Sequence, residues 1–326
     1  MAQNPLISVV IPTRNRPALV LRAVESARRQ TYRPIQIVVV VDGPDEASVK
    51  ALRDVQDQHL KIVALQENVG GSEARNTGVR ESSGEWIALL DDDDEWLPEK
   101  LEKQMTLLQS LPEKYAFVAC RFTERSADEV RTYPLRLPEP GESIDNYMCR
   151  PRGLRTGGEL LQTSTLLAPR QLLLGVPFVR GLKRGQEFVW FVEANTRGKA
   201  AFHVVPEVLS FFNAEGFSDA FRVSRKPKWR SFYGALQSIR NLFDPKAYAY
   251  CIATRVLTDA IACDEPWSVK FGLLKDCIFN GGLFPHCIAV FLYIWMLPPA
   301  TRRRLGEGLR FLKRSGRTPS HRVAEA

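Results

Sequence analysis

Four consecutive aspartates, Asp91–Asp94, stand at the end of the apolar segment Trp86–Leu90. Adjacent carboxylates repel, so each neighbouring pair resists full ionisation unless a cation compensates. Hard oxygen ligands suit Mg²⁺ or Mn²⁺, ions that take one or two carboxylates together with phosphate oxygens of a substrate. A divalent ion bridging a diphosphate would neutralise charge that develops on a phosphate leaving group. At a contact of about 4 Å and an effective dielectric near 20, each carboxylate–cation pair is worth roughly 4 kcal/mol per unit charge. Some of these acids can instead cap the helix that opens near Pro98 or stay solvated. Four in a row straight after a buried strand make a wholly structural role the weaker reading.

The elements that must position them are legible upstream. Leu6–Pro12 is a short β-branched run. Asn15 and Pro17 then make a cap and first turn for a helix with Leu19, Ala23, Val24 and Ala27 on one face. Ile35–Val41 is apolar throughout, as a strand covered on both faces should be. Asp45–Gln58 reads as a helix, Lys61–Leu65 as a strand, Asn68–Gly71 as a turn and Ser72–Ser82 as a helix. Trp86–Leu90 reads as a buried strand, and Pro98 opens a helix with Leu101, Met105 and Leu108 inside. This βαβαβαβα order predicts a parallel, doubly wound sheet. Ligands of such sheets bind beyond the carboxyl ends of the strands. Pro12–Asn15, Asp42-Gly43 and Asp91–Asp94 all fall at such ends.

The rest of the chain is less regular. Arg125–Arg155, rich in Pro, Gly and charge, reads as a long loop or insertion. Leu160–Ala168 reads as a strand, Gly185–Asn195 as a short helix and Ala200–Phe212 as one or two strands. From Phe217 the pattern is mostly helical. This divides the 326 residues into a first part at 1–120, a second at 121–215 and a helical C-terminal region at 216–326. Six cysteines without a CxxC and four scattered histidines argue against a structural zinc site. Free thiols fit a reducing compartment, and the opening MAQNPLISVVIP has no basic n-region, so no secretory signal is expected.

Net charge is +8, but Thr301–Ala326 carries eight basic residues against two acids, leaving only +2 for the first 300 residues. A near-neutral body argues against a nucleic-acid groove. Cys277–Leu297 has no formal charge over 21 residues, but Asn280-Gly281-Gly282 and Pro285-His286 interrupt it. A buried or in-plane helix is therefore the better reading than a transmembrane span. Phe291, Tyr293 and Trp295 ahead of Arg302–Arg304 suit an anionic membrane surface.

Taken together, ISVVIPTRN (Ile7–Asn15), VVDG (Val40–Gly43), NVGGSEARNTG (Asn68–Gly78) and LLDDDDEWLPEKLEKQ (Leu89–Gln104) resemble the nucleotide-sugar half of glycosyltransferase family 2. The resemblance covers about the first 105 residues. It implies a GT-A type α/β fold, Rossmann-like and doubly wound with a mostly parallel sheet, here followed by a helical C-terminal extension. It also implies an inverting transferase using a nucleotide-diphosphate sugar and Mg²⁺ or Mn²⁺. Carried over by position, Pro12, Thr13, Arg14 and Asp42 line the nucleoside pocket. Arg75 meets the base or phosphates and Asp92 the ribose or sugar. Asp91 and Asp93 form the DXD pair, with Asp93 the direct metal ligand. Arg14 stands where the family often has an aromatic residue.

Inversion requires a carboxylate to take the proton from the attacking acceptor hydroxyl. KRGQEFVWFVEA (Lys183–Ala194) is similar to the family's acidic motif, with Glu187 where Asp is common and Val189 in place of a second acid. Glu187 is thus the implied base and Glu193 a rival. A first-turn Glu that stabilises the helix dipole is the structural alternative. Trp190, Phe191, Phe211 and Phe212 are core residues or an acceptor platform. The reading that follows is transfer to a cell-surface glycan or lipid-linked acceptor by a cytoplasmic enzyme peripheral to the inner face of the membrane. A catalytically silent sugar-nucleotide or glycan-binding subunit and a metal-dependent nucleotidyltransferase are the alternatives.

Overall fold

The computed structural model describes residues 4–113, 115–125, 130–151, 158–213, 228–297 and 301. The first part alternates β1 (Ile7–Thr13), α1 (Pro17–Arg28), β2 (Ile35–Val41), α2 (Glu46–Arg53), β3 (Leu60–Ala64), α3 (Gly71–Glu81) and β4 (Trp86–Leu89). The four strands are parallel in the order β3-β2-β1-β4. Successive side chains of β1 point to opposite faces. Val10 joins the core under α3, and Ile7, Val9 and Ile11 join the core under α1, α2 and α4 (Lys100–Ser110). Helices therefore cover both faces. Gly78 lets α3 lie close to the sheet, since a Cβ there would fall 2.3 Å from a Val10 methyl.

Beyond β4 the sheet becomes mixed. β5 (Glu95–Trp96), β6 (Ala116–Arg125), β7 (Val130–Tyr133), β8 (Leu167–Pro169) and β9 (Ala201–Asn213) complete it. The order is β3-β2-β1-β4-β8-β6-β9-β5, with β7 on β6. β8 runs antiparallel to both its neighbours, and the long β6–β9 pair is parallel with a bulge near Arg121. The sheet is thus mixed but mostly parallel. Helices α5 (Ile144–Cys149), α6 (Arg170–Gly175) and α7 (Gln186–Thr196) lie on the α3 side. They share one core with the C-terminal helices α8 (Trp229–Ser238), α9 (Pro245–Cys251), α10 (Leu257–Ala262), α11 (Trp267–Gly281) and α12 (Pro285–Met296). A π-helical turn, Ile252–Val256, joins α9 to α10.

Several expectations shift. Part of 125–155 is ordered as β7 and α5, because Ile144, Tyr147, Met148 and Cys149 are buried beside α7. Within Leu160–Ala168 the strand is confined to its end, after a 3₁₀ turn at Thr163–Thr165. The uncharged run Cys277–Leu297 splits between α11 and α12, since Gly282 takes φ +97° and Pro285 starts a new helix. Among the described residues no helix is long and apolar enough to cross a membrane. The basic stretch after Thr301 lies outside the described residues.

Lys100, on the first turn of α4, is fully buried, with Nζ 4.0 Å from the Trp96 ring centroid and donating to Gln104 Oε1 at 2.7 Å. Burial pushes its ammonium down to about 8 from a usual value near 10.5. The unfolded chain keeps that proton up to about pH 10 and the folded chain releases it above about pH 8, so this group's contribution to stability rises with pH across that window. Each pKa unit corresponds to about 1.4 kcal/mol. Denaturation of Lys100→Met between pH 7 and 10 is expected to show wild type gaining stability relative to the variant as pH rises. A constant difference across the range would contradict the assignment.

Candidate active site

The parallel register brings the ends of β1, β2 and β4 to one edge. At the end of β2, Asp42 is buried, and its two oxygens accept the backbone N–H groups of Val69 (2.7 Å) and Gly70 (3.0 Å). This carboxylate fastens the turn 68–71 that leads into α3. Gly70 takes φ +84°, and Gly43, at φ +100°, leaves space for the backbone of Asn68, 3.1 Å from where a Cβ would sit. The loop after β1 is held in a similar way. Asn15 N–H donates to Asp45, the cap of α2, at 2.6 Å. Pro12 is half-buried, Thr13 buried and Arg14 exposed.

The four aspartates are not equivalent. Asp92 is enclosed, accepting from the Thr13 hydroxyl at 2.8 Å and from Arg16 at 2.9 Å. Arg16 also reaches Asp93 at 3.1 Å. Asp91 is ion-paired with Arg75, and its N–H donates to the Ser164 hydroxyl at 3.0 Å. That hydroxyl donates in turn to Asp94, which also accepts from Gln162 at 2.8 Å. Carboxylate oxygens of Asp91, Asp93 and Asp94 all lie within 4.8 Å of one another. The second oxygen of Asp94, Oδ1, is buried and accepts no hydrogen bond among the described residues.

This concentration of charge shows in the titration of the groups. Burial first, then the charges of Asp91 and Asp92, pushes Asp93 up to about 7. Burial, then the charges of Asp93 and Asp91, raises Asp94 well above the usual carboxylate range. Burial raises Asp92 as well, against the pull of Arg16. Arg75 is likewise buried, but Asp91 outweighs that penalty and keeps its guanidinium charged. An excess of carboxylates with a buried, unpartnered oxygen fits a hard divalent cation. Asp91, Asp93 and Asp94 are the residues that would hold it. Asp91 and Asp93 are the expected pair, and Asp94 is an addition that chain position alone did not single out.

Glu187 reaches this edge from α7. Gly185 caps that helix at φ +69°, and a Cβ there would collide with the Phe232 ring at 2.4 Å. Gln186 accepts from Arg75 at 2.8 Å, tying the start of α7 to α3 and to Asp91. Burial raises the Glu187 carboxyl, partly offset by the positive charges of Arg75 and Arg255. Glu193 is ion-paired with Arg197 at 2.9 Å and lines a different cavity, beside Arg80 and Arg180. Trp190 and Phe191 are core residues, packed on Phe117 at 5.4 and 5.9 Å between ring centroids. Phe211 and Phe212 are half-buried at the far end of β9.

Sheet order, helices on both faces and carboxylates at the strand ends define an α/β fold of the GT-A type. Residues 8–161, a little under half of the chain, match the glycosyl transferase family 2 profile. The fold is shared with a 1–349 fragment of S. aureus TarS in complex with UDP-GlcNAc, at a TM-score of 0.63 and 15% identity, over 94% of this chain and 91% of that one. Among curated relatives, the putative teichuronic acid biosynthesis glycosyltransferase TuaG of Bacillus subtilis is 32% identical over 49% of this chain and 59% of its own length. The putative colanic acid biosynthesis glycosyl transferase WcaA of Escherichia coli is 34% identical over 34% of this chain and 38% of its own. An uncharacterized glycosyltransferase of Haemophilus influenzae is 33% identical over 33% and 36%. The matched stretches therefore span about one third to three fifths of these relatives.

Arg16, Asp94, Gln162, Ser164 and Gln186 escape a reading of the chain alone. Arg16 follows the first strand closely and Gln186 sits inside the acidic motif, so both carried a positional signal. Ser164 and Gln162 carried none, because only folding sets them against residues some 70 positions away. Asp42→Ala frees two backbone donors at the turn 68–71. It is expected to lower unfolding free energy by about 1–3 kcal/mol in chemical denaturation. An unchanged midpoint would remove the fastening role.

Proposed function

We propose that this chain is an inverting glycosyltransferase that moves a sugar from a nucleotide-diphosphate donor to a glycan or lipid-linked acceptor of the cell surface. One observation carries the reading: Asp91, Asp93 and Asp94 and the carboxylate of Glu187 are brought to the same edge, joined through Arg75 and Gln186. The match of residues 8–161 to the glycosyl transferase family 2 profile supports it. So do the relatives named for teichuronic and colanic acid biosynthesis.

In this reading Glu187 takes the proton of the acceptor hydroxyl, whose oxygen bonds to the anomeric carbon. The bond from that carbon to the diphosphate oxygen breaks, and its electron pair leaves with the nucleoside diphosphate. Asp91, Asp93 and Asp94 would hold a divalent cation, which would neutralise charge on that leaving group. Asp42 and the turn it fastens shape the nucleoside pocket with Pro12, Thr13 and Arg14. Asp92, oriented by Thr13 and Arg16, faces the ribose or sugar. Raised by burial, the Glu187 carboxyl is a stronger base once ionised than a solvated glutamate.

The C-terminal helices support a peripheral position on an anionic membrane, at the inner face in a cytoplasmic enzyme. Trp267, Phe271, Phe279, Leu283, Leu292 and Met296 are exposed, and Trp267 and Phe271 cluster with Trp295 at 5.0 and 4.9 Å. Helix α12 contains no formal charge, and the sequence beyond it is strongly basic. Apolar side chains and cations suit such a surface, at roughly 1 kcal/mol per basic residue.

A panel of nucleotide sugars with and without Mn²⁺ is expected to raise the melting temperature only for the true donor, and less after chelation. A ligand at a hundred times its Kd stabilises by about 2.7 kcal/mol. Glu187→Gln is expected to lower transfer roughly 10²–10⁴-fold while that donor-induced shift survives. Near-normal turnover would remove Glu187 from the role. Deleting 301–326 is expected to weaken sedimentation with anionic vesicles, and unchanged binding would overturn the membrane assignment.

A further inference from the structure

Glu187 faces two ways. On one side stand Arg75 and Asp91. On the other a cavity of about 390 Å³ opens between the start of α7 and the helices α8 to α10, and Glu187 lines it with Phe188, Phe232, Arg184, Arg255 and Asp259. The family match ends at residue 161, so nearly all of this lining comes from chain beyond it. Arg184 and Asp259 pair at 3.1 Å, joining the loop before α7 to α10. Phe188 and Phe232 meet edge to face at 5.4 Å and form an apolar wall.

Arg255 is different from the other charged groups there. It sits in the π-helical turn Ile252–Val256, a local widening of the helix that re-aims side chains and often marks functional positions. Its guanidinium carbon lies 4.9 Å from the centroid of Phe188. Such a contact fixes the plane of the group while leaving its in-plane N–H donors available. Among the described residues, the Arg255 side chain makes no hydrogen bond and has no carboxylate within 4.0 Å. A half-buried cation with unspent donors, in a cavity that also exposes a candidate general base, is suited to an anion on the molecule that enters.

We propose that this cavity is the acceptor subsite, and that it selects an acceptor carrying a phosphate or carboxylate held by Arg255, with the hydroxyl to be glycosylated beside Glu187. This deepens the transferase reading and rests on it. The anion is gripped by the planar guanidinium fork, the Phe188–Phe232 wall covers apolar carbon, and the Arg184–Asp259 pair closes one end. The acceptor hydroxyl gives its proton to Glu187 as its oxygen joins the anomeric carbon, and the acceptor's anionic group remains unchanged. Neutral acceptors lose the Arg255 contact and bind poorly.

The test uses the full chain with its donor side saturated by Mn²⁺ and whichever nucleoside diphosphate raises its melting temperature. Glycerol 3-phosphate and glucuronate are titrated by calorimetry, with glycerol and glucose as neutral counterparts. At least one anion is expected to bind saturably, its neutral counterpart much more weakly. Arg255→Gln should weaken the anion roughly ten- to a hundredfold, the range for hydrogen bonds to a charged group. Arg255→Lys, which keeps the charge but loses the fork, should fall between and serves if the glutamine variant does not fold. Glycerol 3-phosphate alone binding points to a phosphate-bearing acceptor, and glucuronate alone to a uronic acid. Absence of anion binding, or equal binding by wild type and both variants, would overturn the subsite. Failure of every nucleoside diphosphate to bind, with Arg255-dependent anion binding intact, would instead sink the transferase reading.

Discussion

The structure is organised around a surplus of negative charge that folding places at one point. Four carboxylates follow a buried strand, and the protein can neither solvate them fully nor leave them unmatched. Arg16 answers Asp92 and Asp93, Arg75 answers Asp91, and Ser164 and Gln162 bind Asp94. Burial first, and then a matching that stops short of neutrality, pushes Asp93 and Asp94 toward holding protons. A site with that residual appetite for positive charge is suited to a cation.

The same charge explains how distant parts of the chain are coupled. Arg75 is the shared element, since it meets Asp91 on one side and Gln186 on the other. Through Gln186 it sets the start of α7, and with it Glu187, against the strand ends. Helix α7 packs in turn into the core built with α8 to α12. Residues beyond the family match therefore support one wall of the candidate site and line the cavity beside Glu187.

Legibility was uneven along the chain, for a physical reason. From β1 to β4 strands and helices alternate and the helices pack on the faces of the sheet, so local periodicity and tertiary position agree. Ile35–Val41 was recognisable as a two-sided buried strand, and Asn68–Gly78 as a turn entering a helix. After Ser110 that agreement fails. Strand β8 is three residues long and lies between β4 and β6, partners far away in the chain. Part of 125–155 looked like a loop because its composition is polar, yet α5 is buried through contacts with α7 and α9 that composition does not reveal.

The sequence by itself determined the parallel first half, the edge at which the candidate site lies and the residue types that gather there. These depend on periodicity, on turn chemistry and on chain order, all of them local properties. Only the tertiary structure decided how the four aspartates divide their roles, because adjacent carboxylates are indistinguishable until folding assigns Thr13 and Arg16 to one and Ser164 and Gln162 to another. Only the packing of α7 against the C-terminal helices set Arg255 beside Glu187, some 70 residues away in the chain. Such pairings are made by burial and charge across the fold, and no local pattern encodes them.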